Sequence, residues 1–235
     1  MISVRKAGFT IIEVMLFLAI SGMLFAGIIF GTGSSINTQR YRDSVNSLQS
    51  ILQQQFTEVT NVVNDNASVD CAGTSNLNRG QTNCMILGRY ITYSGGNSIT
   101  IKNVIGSQFN STAVTDDVSA FLQYNLTLTP FSTYDLEWNT LIKNSSNSPM
   151  SFSILMLRSP LSGAVRSFVN NTTVTADNKL SDLLTSTFLD TSAQLCVDPN
   201  GLTASKQTEI YINKGATNAA AIEVIGDGVA GYACY

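Results

Sequence analysis

The chain has 235 residues, 13 of them basic, 16 acidic and none histidine, and a formal charge of −3. The lack of histidine excludes His-based nucleophile triads and dyads and the commonest zinc chemistry. Basic residues from Arg79 to Lys214 are scattered and form no run, so nothing marks a nucleic acid as a partner.

Residues 1–8 form a short basic leader with Arg5 and Lys6. From Phe9 to Phe30, 22 residues run with a single charge, Glu13. As a helix this segment is about 33 Å long, enough to cross a hydrocarbon core of about 30 Å. A carboxylate at the centre of a bilayer costs on the order of 2.5–3.5 kcal/mol, so Glu13 asks for a partner charge. A secretory signal peptide shares the basic start. This run is longer than the usual apolar core, however, and the tail Gly31-Thr32-Gly33-Ser34-Ser35 offers no A-x-A-like site. An ordinary single-pass anchor leaves Glu13 unexplained. Arg5 and Lys6 favour a cytoplasmic N-terminus, against the opposing Arg40 and Arg42. Gly27 and Gly31 form a G-x-x-x-G pattern that lets membrane helices approach closely. The alternative is tolerance, since glycine is common in membrane helices. Gly22 and the Gly31–Gly33 pair each weaken the helix by about 1 kcal/mol relative to alanine.

Lys6-Ala7-Gly8 followed by Phe9-Thr10-Ile11-Ile12-Glu13-Val14 resembles the processing site of type IV pilins and of the pseudopilins of type II secretion. The resemblance covers residues 1 to about 64. It implies removal of residues 1–8 by a prepilin peptidase, which cuts between Gly8 and Phe9 and methylates the amine of Phe9. Glu13 then matches the family's glutamate, the fifth residue of the mature chain. In a staggered stack of helices, the amine of one subunit approaches Glu13 of a neighbour, and this pair sets register. Gly22 matches a glycine near which related filaments stretch on assembly. The accompanying proline is missing, because residues 9–64 contain none. The resemblance also implies an inner-membrane assembly platform as a partner. The chain would sit in the cytoplasmic membrane before assembly and in an extracellular filament afterwards.

Beyond the apolar run, Tyr41, Val45, Leu48, Leu52, Phe56, Val59 and Val63 step by threes and fours. Such a stripe predicts an amphipathic helix over 38–64 that buries against the protein's own globular domain. The opposite face carries Arg42, Asp43, Asn46, Gln49, Gln53 and Thr57. Helix from Phe9 to Asn64 would be about 84 Å long, a spine whose first half lies in a membrane or filament core.

Residues 65–235 read as one β-rich domain. Residues 65–83 are loop-like, and then the period changes to two. Strands are expected at Met85–Tyr93, Ser98–Ile105, Ala120–Thr129, Ser151–Leu157, Ala164–Asn170, Thr208–Asn213 and Ala221–Ile225. Ser181–Leu189 reads equally as a short helix or a strand. Turn clusters at Ser94–Asn97, Asn144–Pro149, Asp198–Gly201 and Lys214–Ala216 separate the runs. The expected fold is α+β: a long N-terminal helix packed on an antiparallel sheet with one face on the core and one toward water.

Four cysteines, Cys71, Cys84, Cys196 and Cys234, all lie outside the apolar run. In an exported domain an even count points to disulfides, with three connectivities open. Cys71–Cys84 and Cys196–Cys234 are favoured. The first closes a Gly/Asn-rich loop for about 3 kcal/mol, and the second fixes the C-terminal strands. No metal or cofactor is expected. Asp116-Asp117 and Asp135/Glu137 read as turn or strand carboxylates, and Asp198-Pro199-Asn200-Gly201 as a tight turn that lacks the later ligands of a calcium loop. No catalytic constellation emerges. The sequence is therefore expected to encode a filament subunit, a minor pilin, with other pilin subunits as partners. The alternatives are a secretion pseudopilin and a membrane-tethered adhesin or binding module that does not assemble.

Overall fold

The structure is a computed structural model that describes residues 8, 10–61, 84–108 and 113–234. It has the expected α+β layout, a long N-terminal helix joined to antiparallel sheets. Helix α1 runs unbroken over Ile11–Asn61, about 77 Å at 1.5 Å per residue. Among the described residues, nothing buries the most apolar window of its first half. Around Thr38 it meets the globular domain and becomes its core helix. Tyr41, Val45, Leu48, Leu52, Phe56 and Val59 are all buried, so the helical stripe read from the sequence is the packing face. Val63 lies outside the described residues.

Strands β1 (Cys84–Tyr93), β2 (Ser98–Gln108), β3 (Tyr124–Asp135), β5 (Phe152–Arg158) and β6 (Val165–Asn170) form one sheet in the order β3-β2-β1-β5-β6. A second sheet has the order β4-β7-β8-β9, from Leu141–Lys143, Ala193–Asp198, Thr208–Ile212 and Ile222–Ile225. Every pairing is antiparallel. The two sheets share α1 as a spine. Lower on the helix, the Tyr41 hydroxyl donates to the Val197 carbonyl of β7 at 2.7 Å. The side-chain amides of Gln49 and Gln53 both donate to the Ile222 carbonyl of β9 at 3.2 Å. Higher up, Glu58 pairs with Arg89 of β1 at 3.0 Å, and Arg158 of β5 donates to the Thr60 carbonyl at 2.8 Å. Gln49 and Gln53, read from sequence as the face opposite the stripe, are thus edge contacts to the second sheet.

Three expectations are corrected. First, the five-stranded sheet does not turn one face to water. Tyr90, Val104, Leu155, Leu157 and Phe168 point away from α1 and are fully buried in a second core. That core is closed by Phe121 of α2 (Asp117–Phe121) and by Leu180, Leu183 and Leu184 in and after the 3-10 turn Asp177–Leu183. A strand as uniformly apolar as Ile154-Leu155-Met156-Leu157 must bury both faces. Second, the strand expected at Ala120–Thr129 begins four residues later, because α2 intervenes. Asp116 caps α2 by accepting from the Ser119 N–H at 2.9 Å, while Ser119 returns a hydrogen bond to Asp116. Third, β4 and β7 were not anticipated. The ambiguous Ser181–Leu189 is helical throughout its two short elements, the 3-10 turn and α3 (Ser186–Leu189).

Gly88 sits where the β1–β2 register shifts, between Ile86 and Gly88. A Cβ there would lie 1.8 Å from the Met156 carbonyl oxygen of β5. Backbone cannot yield as a flexible side chain can, so the central β1–β5 pairing requires glycine. Gly88→Ala is expected to destabilise the domain by about 3 kcal/mol or more, through overpacking against backbone. Gly96→Ala, where a Cβ meets nothing within 4 Å, is the matched control and stays within about 1 kcal/mol. Urea denaturation of both variants measures the difference, and equal midpoints would contradict it.

Candidate functional site

From Ile11 to about Ile36 the helix presents large apolar side chains to the outside all round. Ile11, Met23 and Phe25 are 79%, 79% and 68% exposed, and the most apolar window of α1 has no buried residue. Its mean hydropathy of 2.4 over 18 residues makes this helix long and apolar enough to cross a membrane. Two threonine hydroxyls in and just past the segment bond carbonyls one turn back. Thr32 donates to the Ile28 carbonyl at 2.9 Å and Thr38 to the Ser34 carbonyl at 3.1 Å.

Glu13 has a local role that the sequence reading missed. The Thr10 N–H donates to Glu13 Oε2 at 3.0 Å, and the Thr10 hydroxyl donates to the same oxygen at 3.2 Å. In return the Glu13 N–H donates to Thr10 Oγ1 at 3.3 Å. This reciprocal pair is a capping box, and its Thr-x-x-Glu signature is plain in the sequence. It satisfies donors at the start of α1 that would otherwise be orphaned, and it places a negative charge at the positive end of the helix.

Gly8 is exposed, and Phe9 lies outside the described residues. A Cβ on Gly22, Gly27 or Gly31 would meet nothing within 4 Å, so packing within this chain does not require glycine at any of them. Cys71 lies outside the described residues, as does the Cys71–Cys84 pairing. Cys196 and Cys234 are joined in a disulfide with a Cα–Cα separation of 5.6 Å. It closes 38 residues, and in the chain-entropy account it contributes about 4 kcal/mol. The disulfide ties β7 to the segment after β9. There the Ala233 N–H also donates to the buried Glu209 carboxylate at 2.7 Å.

Of the carboxylates weighed from the sequence, Asp117 and Asp198 are tied to structural partners. Asp117 accepts from Ser159 and from Arg166, each at 2.7 Å. Burial works to raise its carboxyl, but those hydrogen bonds and the Arg166 charge outweigh it and hold the group below the usual range. Asp198 pairs with Lys143 at 3.0 Å, and its carboxylate also receives the Asn200 N–H of the turn. Among the described residues no cluster of three or more Cys, Asp or Glu is placed to hold a metal. A cavity of about 20 Å³ beside Glu58, Gly88, Arg89 and Arg158 has room for one water. The sequence reading also passed over the only tryptophan. Trp138 is half exposed in the β3–β4 turn and lies under the Arg40 guanidinium, 4.6 Å from the ring centre. No family model, curated protein or solved structure matches this chain.

Tyr41 marks where the free half of α1 meets the domain. Burial pushes its hydroxyl up from 10.0 to about 12, because the interior penalises the phenolate. Below pH 10 the phenol keeps its proton in both folded and unfolded chains, so this contribution to stability is complete. Between pH 10 and 12 the unfolded chain ionises first, and stability falls by up to about 2.7 kcal/mol from this group. Burial raises Tyr90 and Tyr93 as well, and they act in the same direction. Tyr41→Phe is expected to cost about 1 kcal/mol at neutral pH through the lost hydrogen bond, and to flatten the alkaline decline. Urea midpoints of both proteins across the alkaline range test this, and parallel declines would refute the assignment.

Proposed function

We propose that this chain is a structural subunit, a minor pilin, of a type IV pilus. It is trimmed between Gly8 and Phe9 by a prepilin peptidase, methylated on Phe9, and assembled with other pilin subunits through α1. It waits in the cytoplasmic membrane with its N-terminus inside, and an inner-membrane platform moves it into an extracellular filament. One observation carries the reading. The apolar half of α1 is exposed on every side and bears a single carboxylate five residues after Gly8. A membrane buries such a surface while the subunit is alone, and neighbouring copies of the same segment bury it in a filament. Gly22, Gly27 and Gly31, which this chain's own packing does not require, suit close approach between helices. The size of the domain beyond α1 and its lack of internal repeats favour a minor over a major subunit. A pseudopilin of type II secretion shares the same N-terminal chemistry.

A second reading has its own support. Thr10 already satisfies Glu13 in cis, which lowers the need for a partner charge and suits a membrane-tethered binding module. Two measurements separate them. The protein recovered from cells is expected to begin at Phe9 and to carry one added methyl group. Glu13→Gln is expected to insert in the membrane normally, yet to enter sheared filaments about tenfold less, the equivalent of about 1.4 kcal/mol per subunit. An intact residue 1–8 leader, with Glu13→Gln behaving as the parent, identifies the tethered module instead.

A further inference from the structure

Glu13 and Arg40 bracket the uncharged stretch of α1. Between them, residues 14–39 carry no charge at all. Along an unbroken helix the 27-residue separation is about 40 Å, which matches the 40–45 Å of a bilayer with both headgroup layers included rather than the hydrocarbon core alone. With Glu13 at one headgroup layer, Arg40 falls at the other. The domain begins at that same level, since Thr38 bonds Thr203 at 3.4 Å and Tyr41 bonds β7.

The domain places its only tryptophan at this level, in an unusual backbone state. Trp138 has φ 55° and ψ 27°, and Asn139 follows at φ 60°. Two successive non-glycine residues in the left-handed region are strained, the bulky indole especially. Neighbours hold the turn in place. Asn200 Nδ2 donates to the Asn139 carbonyl at 3.0 Å, the Thr140 N–H donates to the Glu137 carbonyl at 3.2 Å, and Thr140 Oγ1 bonds Ser44 of α1 at 2.8 Å. The result is an indole turned outward, 48% exposed, beneath a guanidinium that makes no ion pair among the described residues.

We propose that Trp138 and Arg40 form an interfacial anchor that seats the domain on the outer headgroup layer of the membrane α1 crosses. Indole rings partition to the headgroup level, because one edge is apolar and the N–H seeks a polar partner. Arg40 supplies a charge complementary to lipid phosphate. The partner is the bilayer surface, and α1 fixes its position, so no further docking geometry is needed. The anchor acts in the membrane-resident chain, before or after leader removal, and does not depend on filament assembly.

Because the chain has one tryptophan, its fluorescence reads this contact directly. The full chain is inserted in vesicles of phosphatidylethanolamine and phosphatidylglycerol whose acyl chains are brominated at either a shallow or a deep position. Trp138 is expected to be quenched about twofold by the shallow label and little by the deep one. Two single-tryptophan controls carry Trp138→Phe. With Phe25→Trp the reporter lies near the middle of the span, about 18 Å from Glu13, and is quenched most by the deep label. With Leu161→Trp it lies about 30 Å farther along α1, past Thr60, and is not quenched. Arg40→Gln is expected to halve the shallow quenching of Trp138, and unchanged quenching there would remove Arg40 from the anchor. If Phe25→Trp is quenched and Trp138 is not, the anchor is refuted while the span stands. If Phe25→Trp is not quenched, the chain does not cross the bilayer and both ideas fall.

Discussion

The burial of one helical stripe, Tyr41 to Val59, holds this architecture together. Each of these six side chains is under 7% exposed, and together they contact strands of both sheets. At about 1.5–3 kcal/mol per large side chain, this seam contributes a substantial part of the core, and both sheets share it. It also fixes a position. Because Tyr41 is bonded to Val197, the point where α1 leaves the domain is set, and with it the distance from the domain to every residue of the apolar half. The same covalent helix thus belongs to two environments, and the stripe determines where one gives way to the other.

That division was legible in the sequence because the two halves carry different patterns. Residues 9–30 are apolar on all sides, whereas residues 41–63 are apolar only every third or fourth position, and these patterns call for different surroundings. Most strand positions were legible too, from alternation and turn residues. The second core was harder to see. Its strands, β5 above all, are apolar without alternation, and a continuous run does not say what covers its second face. The covering elements are short and come from separate parts of the chain. The α2 signal, Asp116-x-x-Ser119, is a capping box with serine in the last place and sits beside a cleanly alternating run. For β4 the difficulty was length, since three residues carry no period.

The N-terminal site shows the same contrast between motif and geometry. The residues Gly8, Phe9 and Glu13 were legible as a pattern. The bond that Glu13 makes is carried by a second, shorter signal, Thr10 three residues before it. The capping box changes the energetic argument. A carboxylate without a partner in a bilayer demands neutralisation, whereas one that accepts two hydrogen bonds and faces a helix N-terminus is already partly stabilised. Intersubunit pairing would then be an exchange of one set of partners for another, and its net gain would be smaller than the cost of a bare charge. Such an exchange suits a subunit that must persist alone in the membrane and assemble later.

Between the apolar run and the domain lies Gly31–Asn37, two glycines and five small polar or β-branched residues without a charge. A flexible tether would let the domain drift relative to the apolar run. Instead this stretch is helical, with Thr32 and Thr38 donating to carbonyls one turn back. The helix carries the rotational phase of Glu13 through to the Tyr41 stripe, so the face of the domain and the face of the span are coupled. The two glycines nevertheless make this the cheapest place on α1 to unwind, at about 1 kcal/mol each, and no side chain packs over them. Stiffness here therefore comes from hydrogen bonds to the helix backbone, those of the Thr32 and Thr38 hydroxyls included. In water those bonds compete with solvent, whereas in a headgroup layer or between packed helices they do not. The connection between span and domain is accordingly firmest when the surroundings exclude water, and the domain's orientation depends on what covers Gly31–Asn37 as much as on the chain itself.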